Sequence, residues 1–303
     1  MPLSRRLALA LTTFALSLGL AVSGPGAAVA APAHPRVGGQ QDPAGPGTHH
    51  GEHRASGWYL ALGDSLAAGY QPGVGDDRDG GYVDDVLAAV RSESPKTRLV
   101  NLSCSGESTV TMVQGGVCAY AKGNQLQQAV HFLRAHGRTT RLVTITIGAN
   151  DVQHCVRTTI DYACIVSGMA DIAQELPLIV KRLHHVAPRT RVIVTNYYNP
   201  FLAEWLLGPA GQQLALASTA LLGQLNGLIA VGAAAGHASV ADVSTAFSST
   251  DFTDTEDLPG LGTVPLNVAR ICTWTWMCTK ADDHPNDTGY DVIGKTIVAA
   301  LEQ

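Results

Sequence analysis

The chain has 303 residues, of which 46% are hydrophobic and 15% are charged, and its formal net charge at pH 7 is −5. This mildly acidic composition lacks the excess of basic residues that binds nucleic acid or anionic membrane surfaces, so neither partner is expected. The length and the apolar content favour one globular domain with a sizeable core, which we expect to be a monomer.

The N-terminus has the layout of a secretory signal peptide. Arg5 and Arg6 precede an apolar run over residues 7–22, and small residues ending in Ala28-Val29-Ala30 follow. A basic start, an apolar middle and an A-x-A site are the parts of such a signal, and the run is shorter than the ~20 residues of a membrane-spanning helix. We therefore predict a signal peptide over residues 1–30 and secretion to the extracellular space.

Residues 31–56 are rich in Pro, Gly, Gln and His and show no apolar periodicity, which predicts a disordered linker or tail. Three histidines of this segment, His49, His50 and His53, could bind a metal, but solvated linker residues are the simpler interpretation. The rest of the chain, residues 57–303, is predicted to fold as one domain.

Apolar runs rich in β-branched residues alternate with helical stretches through this domain. The runs predict five strands, over residues 58–62, 98–102, 142–147, 192–195 and 238–243. The helices are predicted over residues 82–92, 124–136, 168–186, 211–235 and 287–301. This alternation predicts a three-layer α/β/α fold, with helices on both faces of a five-stranded parallel sheet in a flavodoxin-like order.

The stretch over residues 206–235 is apolar enough to suggest a membrane span. It also contains Gln212, Gln213, Gln224 and Asn226, and its leucines can share one helical face. We therefore predict an amphipathic core helix here and no stable membrane span.

Six cysteines follow the predicted signal peptide, and they fall into three couples that are close in sequence. An even number of cysteines in a secreted chain predicts disulfides. No C-x-x-C spacing is present, so a zinc site is not expected, and no other metal site is predicted. The predicted disulfides, each closing a short loop, are Cys104–Cys118, Cys155–Cys164 and Cys272–Cys278.

Residues suited to acyl transfer follow three of the predicted strands. Such chemistry needs a nucleophile, a base that takes its proton, and N–H donors for the developing oxyanion. Ser65 follows the first strand in Gly63-Asp64-Ser65, Gly106 follows the second strand, and Asn150 follows the third. Because the carboxyl ends of parallel strands share one edge of a sheet, these residues are expected to lie close together. Taken singly, each could be a helix cap or a turn residue.

A histidine near the C-terminus is the candidate base. His284 precedes Pro285 and a predicted helix, which places it in a loop at the entrance of that helix. An exposed loop residue is the simpler interpretation of His284 alone. Its combination with Ser65, Gly106 and Asn150 favours a catalytic site.

Four short motifs resemble the four blocks of the SGNH, or GDSL, hydrolase family and occur in the family's order. They are G-D-S-L at residues 63–66, S-G at 105–106, G-A-N-D at 148–151 and H-P-N at 284–286. The resemblance identifies residues 57–303 as an SGNH hydrolase domain. The run C-T-W-T-W-M-C at 272–278 and the three predicted disulfides further resemble the secreted actinobacterial esterases and lipases of this family.

The resemblance implies the SGNH-hydrolase fold and an enzyme that hydrolyses ester or lipid substrates through an acyl-enzyme, without a metal or another cofactor. It implies Ser65 as the nucleophile and His284 as the general base. It also implies an oxyanion hole formed by the backbone N–H groups of Ser65 and Gly106 and by the side chain of Asn150.

The acid that orients the histidine departs from the family's pattern. The family usually places this acid three residues before the histidine, where this chain has Ala281. Asp282 with a shifted loop is the preferred candidate, and a backbone carbonyl near Thr279 or Lys280 is the alternative, which would give a Ser–His dyad. Asp242 would fit the chain order of an α/β-hydrolase triad, but that fold's G-x-S-x-G motif is missing, so Asp242 is interpreted as structural.

We therefore predict a secreted serine esterase or lipase. Two alternatives stay open: a carbohydrate esterase that removes acetyl groups, and a non-catalytic binding module that keeps the fold. Trp274, Trp276 and Met277 lie shortly before the candidate base, and they either wall an acyl pocket or pack beneath the disulfide that encloses them.

Overall fold

The predicted strands form one parallel sheet in the computed structural model, which describes residues 57–303. The strands are β1 (Trp58–Gly63), β2 (Arg98–Asn101), β3 (Thr140–Thr146), β4 (Arg191–Thr195) and β5 (Ser239–Ala241). Their order is β2-β1-β3-β4-β5, and all neighbours are parallel. The predicted flavodoxin-like order is therefore confirmed. The predicted signal peptide over residues 1–30 and linker over residues 31–56 lie outside the described residues.

Helices cover both faces of this sheet. On one face, α1 (Tyr82–Glu93) packs against α10 (Asp287–Leu301). On the other face, α5 (Tyr162–Val186) packs against α3 (Gln125–His136) and α6 (Pro209–Ala235). The buried residues of α1 recur at helical spacing, so this helix turns one apolar face inward. The predicted three-layer α/β/α architecture is confirmed.

Shorter elements connect these layers. They are α2 (Thr109–Gln114), α4 (Ala149–Val152), α7 (Val243–Ala246), α8 (Leu266–Trp274), α9 (Met277–Lys280) and 3₁₀ turns at Gln153–Cys155 and Pro200–Leu207. An antiparallel hairpin of β6 (Thr255–Leu258) and β7 (Gly262–Pro265) precedes α8. The sequence analysis did not predict this hairpin, because its first strand, T-E-D-L, is only four residues long and its two central residues, Glu and Asp, have low strand propensity.

The two strands beside the candidate site are buried on both faces. Residues 59–63 of β1 and residues 142–146 of β3 are all buried. Strands of this kind appear in a sequence as continuous apolar runs, which is why they were predictable. Their buried polar groups are satisfied within the sheet, since the Tyr59 hydroxyl lies 2.8 Å from Thr144 Oγ1. The sheet therefore gives the loops at its carboxyl edge a rigid base.

All three predicted disulfides are present: Cys104–Cys118, Cys155–Cys164 and Cys272–Cys278. The first closes the loop after β2, the second joins the turn after α4 to the start of α5, and the third joins α8 to α9. The predicted pairing is confirmed, and each bridge restrains a connecting loop.

Two helices of the described part of the chain, α5 and α6, are long and apolar enough by length and composition to cross a membrane. In the structure they pack against each other, and each has a buried stripe. In α6 the stripe includes Leu222, Leu225 and Ile229 at helical spacing, which is the pattern of a core helix.

Candidate active site

The nucleophile turn, residues 63–66, begins at Gly63, where the structure leaves no room for a side chain. Gly63 has a φ of +125°, and a Cβ atom there would lie 1.9 Å from the carbonyl oxygen of Thr146 in β3. Only glycine tolerates this conformation and this close approach. The next residue, Asp64, donates its backbone N–H to the same Thr146 carbonyl at 2.9 Å. Ser65 is thereby held at the carboxyl end of β1.

Asp64 is almost fully buried directly before the candidate nucleophile. Its Oδ1 accepts the backbone N–H of Leu66 at 3.0 Å, and its Oδ2 accepts the hydroxyl of Tyr197 at 2.6 Å. Burial raises the pKa of this carboxyl from 3.8 to about 7, although both hydrogen bonds oppose the shift. The sequence analysis assigned no role to Asp64 or Tyr197.

His284 lies between the candidate nucleophile and two carboxylates. Its Nε2 is 2.8 Å from Ser65 Oγ, and its Nδ1 is 2.8 Å from Asp282 Oδ1. Asp283 Oδ1 lies farther away, at 3.3 Å from the same Nδ1. Asp282 Oδ1 also accepts the backbone N–H of His284 at 3.0 Å. The imidazole can therefore take the serine proton at one nitrogen while a carboxylate orients the other.

The histidine loop, residues 281–286, is anchored at both ends. Ala281 adopts a left-handed conformation, and Asn286 caps α10 by accepting the N–H of Gly289. Within the loop, the carbonyl oxygen of His284 accepts the backbone N–H of Trp276 at 3.0 Å. The structure thus brings Asp282, rather than the residue at position 281, to the imidazole. Within residues 57–303, no backbone carbonyl hydrogen-bonds the His284 ring.

The candidate oxyanion donors come from both sides of the nucleophile turn, because β1 lies between β2 and β3. Gly106 follows β2 with a φ of +84°. Asn150 follows β3, and its Nδ2 donates to the carbonyl of Glu107 at 2.8 Å. The backbone N–H groups of Ser65 and Gly106 donate no hydrogen bond within the described residues. Both remain available to an oxyanion, as does the second hydrogen of the Asn150 amide.

Two further polar residues, Gln125 and Glu107, connect these loops and were not found from the sequence. Gln125 Nε2 donates to the carbonyl of Gly63 and to Glu107 Oε2, each at 3.0 Å. Gln125 Oε1 accepts the N–H of Gly63 at 2.6 Å. Both side chains are buried. No local pattern marks the contacts of Gln125 with Glu107 and Gly63, because these two partners lie 18 and 62 residues away in sequence.

An apolar cavity of about 770 Å³, including its open mouth, begins at Ser65 and His284. Its far walls are apolar side chains of α5 and α6: Ile165, Met169, Leu221, Leu222 and Leu225. A cavity with one polar, reactive end and apolar walls suits an ester with a hydrocarbon acyl group.

The aromatic residues before the histidine loop do not line this cavity. Trp274 packs edge-on against Phe247 at 5.2 Å, and the Trp276 ring N–H donates to Gln71 Oε1 at 2.6 Å. Met277 lines a neighbouring cleft instead. Of the two roles considered for the tryptophans, packing is therefore the one that the structure supports.

Asp242 lies away from the histidine and caps a helix. Its Oδ1 accepts the backbone N–H of Thr245 at 3.0 Å and the side chain of Asn196 at 2.8 Å. No hydrogen bond joins Asp242 to His284 within residues 57–303. This position agrees with the structural interpretation of Asp242.

Two clusters in the described residues contain metal-ligating atom types. One is Asp282, Asp283 and His284, whose atoms already face one another and Ser65. The other is His154 beside Cys155 and Cys164, whose sulfurs are joined in a disulfide and are not thiolates. The second cluster therefore offers no thiolate ligand to a metal.

The four sequence blocks and the Ser–His–carboxylate geometry agree with a comparison to known families. The sequence model of the GDSL-like lipase/acylhydrolase family matches residues 61–292. The chain belongs to this family. This GDSL-like protein is accordingly a carboxylic ester hydrolase.

Two solved structures share the fold of this GDSL-like enzyme. The lipase Lip_vut3 from a goat rumen metagenome is 16% identical with a TM-score of 0.52, over 80% of this chain and 97% of that chain. Phospholipase A1 from Streptomyces albidoflavus NA297 is 20% identical with a TM-score of 0.52, over 82% of this chain and 100% of that chain. At these identities the similarity shows the fold alone. No curated protein sequence matches the GDSL-like chain.

Proposed function

We propose that the protein is a secreted serine esterase or lipase that forms an acyl-enzyme on Ser65, with His284 as its general base. One observation carries this proposal. Ser65 Oγ lies 2.8 Å from His284 Nε2, the opposite ring nitrogen faces Asp282, and the pair stands at the mouth of an apolar cavity. A nucleophile, a base and an orienting carboxylate in this order are the parts of a serine hydrolase.

The reaction proceeds in two halves. Ser65 Oγ attacks the carbonyl carbon of the ester while His284 Nε2 accepts the hydroxyl proton. The bond to the alcohol then breaks, and His284 gives this proton to the departing alkoxide oxygen. Water next attacks the acyl-Ser65 ester with His284 again as the base, which releases the carboxylic acid and restores the serine. Asp282 keeps the proton of the imidazole on Nδ1 throughout.

Three N–H donors stabilise the negative oxygen in each tetrahedral intermediate. The backbone groups of Ser65 and Gly106 are free of other partners within the described residues. The hydrogen bond from Asn150 to the carbonyl of Glu107 holds the third donor between the two loops. Loss of one such donor in other hydrolases lowers kcat about 10²- to 10³-fold, so this arrangement is a large part of the proposed catalysis.

The walls of the cavity favour an acyl esterase or lipase over an acetyl esterase acting on carbohydrate. Side chains such as Met169 and Leu222 line it beyond the candidate nucleophile. An acetyl group has a single methyl group to bury against these walls, whereas a longer acyl chain would bury one methylene after another, at about 0.8 kcal/mol each.

We also propose that the enzyme is secreted and works as a monomer without a metal or cofactor. The N-terminal signal pattern supports secretion, and the three disulfides fit an oxidising compartment. The residues that the proposed reaction needs all come from one chain. The helices α5 and α6 are proposed to be core helices and not membrane spans, because both contribute to the cavity.

Replacement of the proposed nucleophile tests the mechanism. In Ser65→Ala, hydrolysis of p-nitrophenyl esters should fall by about 10⁶-fold in kcat, because no acyl-enzyme can form. A fluorophosphonate probe, which reacts with activated serines, should label the wild type and not the variant.

Ser167→Ala is the control, since Ser167 is an exposed serine of α5 and is not among the residues that line the cavity. This control should keep its labelling. Wild-type hydrolysis rates in a folded Ser65→Ala protein would refute the mechanism, and a wild type that neither hydrolyses esters nor is labelled would indicate a binding module.

A further inference from the structure

Two consecutive tyrosines follow β4, and each contacts a different loop of the site. Tyr197 and Tyr198 are each only 4% exposed. The hydroxyl of Tyr197 donates to Asp64 Oδ2 in the nucleophile turn at 2.6 Å. The hydroxyl of Tyr198 donates to the backbone carbonyl of Asp283 in the histidine loop, also at 2.6 Å. Because the two tyrosines are adjacent in sequence, one short segment reaches both loops.

The backbone of this segment is fixed from α6. Asn226 Oδ1 accepts the backbone N–H of Tyr197 at 3.1 Å, and Asn226 Nδ2 donates to the Tyr197 carbonyl at 2.9 Å. One amide side chain thus pairs with both peptide groups of one residue. On the other flank, Asn199 Nδ2 donates to Ser218 Oγ at 3.0 Å. The tyrosines therefore extend from a support with little freedom to move.

The ring of Tyr198 is held as firmly as its backbone. It stacks on Phe247 with ring centroids 4.5 Å apart and an interplanar angle of 13°. Phe247 in turn packs edge-on against Trp274 of α8. These aromatic contacts restrain the ring of Tyr198 and therefore its hydroxyl group, which holds the backbone carbonyl of Asp283.

We propose that Tyr197 and Tyr198 are paired positioning residues, whose hydroxyl groups hold the nucleophile turn and the histidine loop at the separation that places Ser65 Oγ against His284 Nε2. The two loops are 219 residues apart in sequence, and the adjacent tyrosines connect both of them to the same segment after β4. This proposal rests on the proposed serine hydrolase function. Both tyrosines line the cavity, but each hydroxyl donates to a loop of the site, and neither is proposed to react with the substrate.

The contact of Tyr197 acts on the nucleophile through Asp64. A hydroxyl that donates to a buried carboxylate makes a charge-assisted hydrogen bond, and its removal leaves a buried acceptor without a partner. Because the other oxygen of Asp64 holds the N–H of Leu66, a shift of this carboxylate moves the turn that carries Ser65. Displacements of about 1 Å can lower rates about 10²-fold in enzymes.

Removal of each hydroxyl group tests the proposal. In Tyr197→Phe and Tyr198→Phe, kcat for a soluble p-nitrophenyl ester should fall about 10- to 100-fold while KM changes less than about threefold. The rate of fluorophosphonate labelling at Ser65 should fall in parallel. The double variant should lose less than the product of the single losses, because both hydroxyls control one interatomic distance.

Tyr59→Phe is the matched control. Tyr59 is also fully buried and loses a hydrogen bond of 2.8 Å, to Thr144, but it lies within the sheet and away from both loops. Its kcat should stay within about threefold of the wild type. The proposal is wrong if Tyr197→Phe and Tyr198→Phe keep wild-type kcat. It is also wrong if Tyr59→Phe loses as much kcat as these two variants when all of them lose the same melting temperature. Tyr198→Phe alone can decide the question if Tyr197→Phe does not fold.

The pH dependence of stability gives a separate readout of the contact between Tyr197 and Asp64. The hydrogen bond from Tyr197 favours the ionised form of Asp64, so Tyr197→Phe should raise the pKa of this carboxyl further, and its free energy of unfolding should keep falling to a higher pH than in the wild type. Tyr59→Phe and Tyr198→Phe should keep the wild-type pH dependence, and an unchanged dependence in Tyr197→Phe would contradict the contact assigned to its hydroxyl. The groups that face Asp64 are Tyr197 and Tyr198 after β4, Tyr82 of α1, Tyr290 of α10, and Asp283 and His284 of the histidine loop.

Failure of this proposal and failure of the proposed function give different results. If the tyrosines have no positioning role, the wild type still hydrolyses esters and still loses activity in Ser65→Ala. If the serine mechanism is wrong, Ser65→Ala keeps its activity whatever the tyrosine variants do.

Discussion

The imidazole of His284 has two carboxylates near its Nδ1 atom, and their different distances and hydrogen bonds indicate different roles. Asp282 Oδ1 is 2.8 Å from Nδ1 and also accepts the backbone N–H of His284, so one oxygen fixes the ring relative to its own backbone. Asp283 Oδ1 is 3.3 Å away, and its Oδ2 accepts a hydrogen bond from Gln153. Asp282 is therefore the better orienting acid, and Asp283 connects the histidine loop to the turn after α4.

We expect Asp282→Asn to lower kcat by at least about 100-fold, because the amide would favour the wrong imidazole tautomer, a change that costs about 10⁴ in the Ser-His-Asp template. Asp283→Asn is the matched control and should cost less than about tenfold. Steady-state kinetics on one soluble ester measures both. A kcat within about threefold of the wild type in Asp282→Asn would show that this carboxylate is not the orienting group.

At the residue scale, the sequence predicted the candidate site residues that belong to short motifs. Ser65, Gly106, Asn150 and His284 each stand in a short motif, and the structure gathers their loops at one edge of the sheet. The supporting residues were not predictable in this way. Tyr197 meets its acceptor across 133 residues of chain, and no local pattern encodes a contact of that separation.

At the scale of elements, α5 and α6 decide what the site can accommodate. Both helices are unusually apolar, because each packs one stripe against the core and turns further side chains to the cavity. The hydropathy that made residues 206–235 resemble a membrane span thus has a second physical explanation. In the proposed function, the gap between the two helices sets the room available to an acyl chain.

Narrowing this gap should shorten the acyl chain that the enzyme prefers. Met169 of α5 lines the cavity and is only partly buried, so Met169→Trp can fill space without disturbing the sheet. We expect kcat/KM for octanoyl and longer esters to fall at least tenfold, since each excluded methylene costs about 0.8 kcal/mol, or about fourfold. Acetyl ester hydrolysis should change less than about threefold.

Leu178→Trp is the control for this substitution, because Leu178 lies on an exposed face of the same helix. It should leave the chain-length profile of p-nitrophenyl esters unchanged. An equal loss for acetyl and octanoyl esters in Met169→Trp, or an unchanged profile, would mean that the acyl chain does not enter this cavity.

The sequence predicted those elements whose pattern reflects burial. Strands β1, β3 and β4 are runs of mostly buried residues, and the long helices repeat apolar residues at helical spacing. The bounds of the predicted strands and helices agree with the structure within two residues, except that α5 begins six residues earlier than predicted. The β6–β7 hairpin and α8 were missed, because they are short and their packing against neighbouring elements, not their own pattern, stabilises them. The hairpin packs on α8, which precedes the histidine loop.

At the scale of the whole molecule, the buried Asp64 links the stability of the fold to pH. Burial raises its pKa in the folded protein to about 7 from the ordinary 3.8. Below about pH 4 the carboxyl is protonated in both the folded and the unfolded chain, and it does not affect the balance. Between pH 4 and pH 7 the folded chain keeps a proton that the unfolded chain has lost, so ionisation costs folding free energy progressively. Above about pH 7 this cost is complete.

Replacing the carboxyl by an amide should remove this cost. Near pH 4, Asp64→Asn and the wild type should have nearly the same free energy of unfolding. Near pH 8, the free energy of unfolding of Asp64→Asn should exceed that of the wild type by on the order of 4 kcal/mol, since one pKa unit corresponds to about 1.36 kcal/mol. Denaturant unfolding with the disulfides intact, repeated from pH 4 to pH 8, measures the difference. The variant is expected to lose activity, because its altered side chain supports the nucleophile turn.

Asp79→Asn is the control for this comparison, because Asp79 is exposed in the loop after the nucleophile turn. Its stability curve should run parallel to that of the wild type over the whole pH range. If the Asp64→Asn curve is also parallel to the wild type, Asp64 does not hold its proton in the folded protein and burial does not raise its pKa. A difference that grows with pH would instead show that the fold keeps a destabilising carboxylate beside its proposed nucleophile, where only function can account for it.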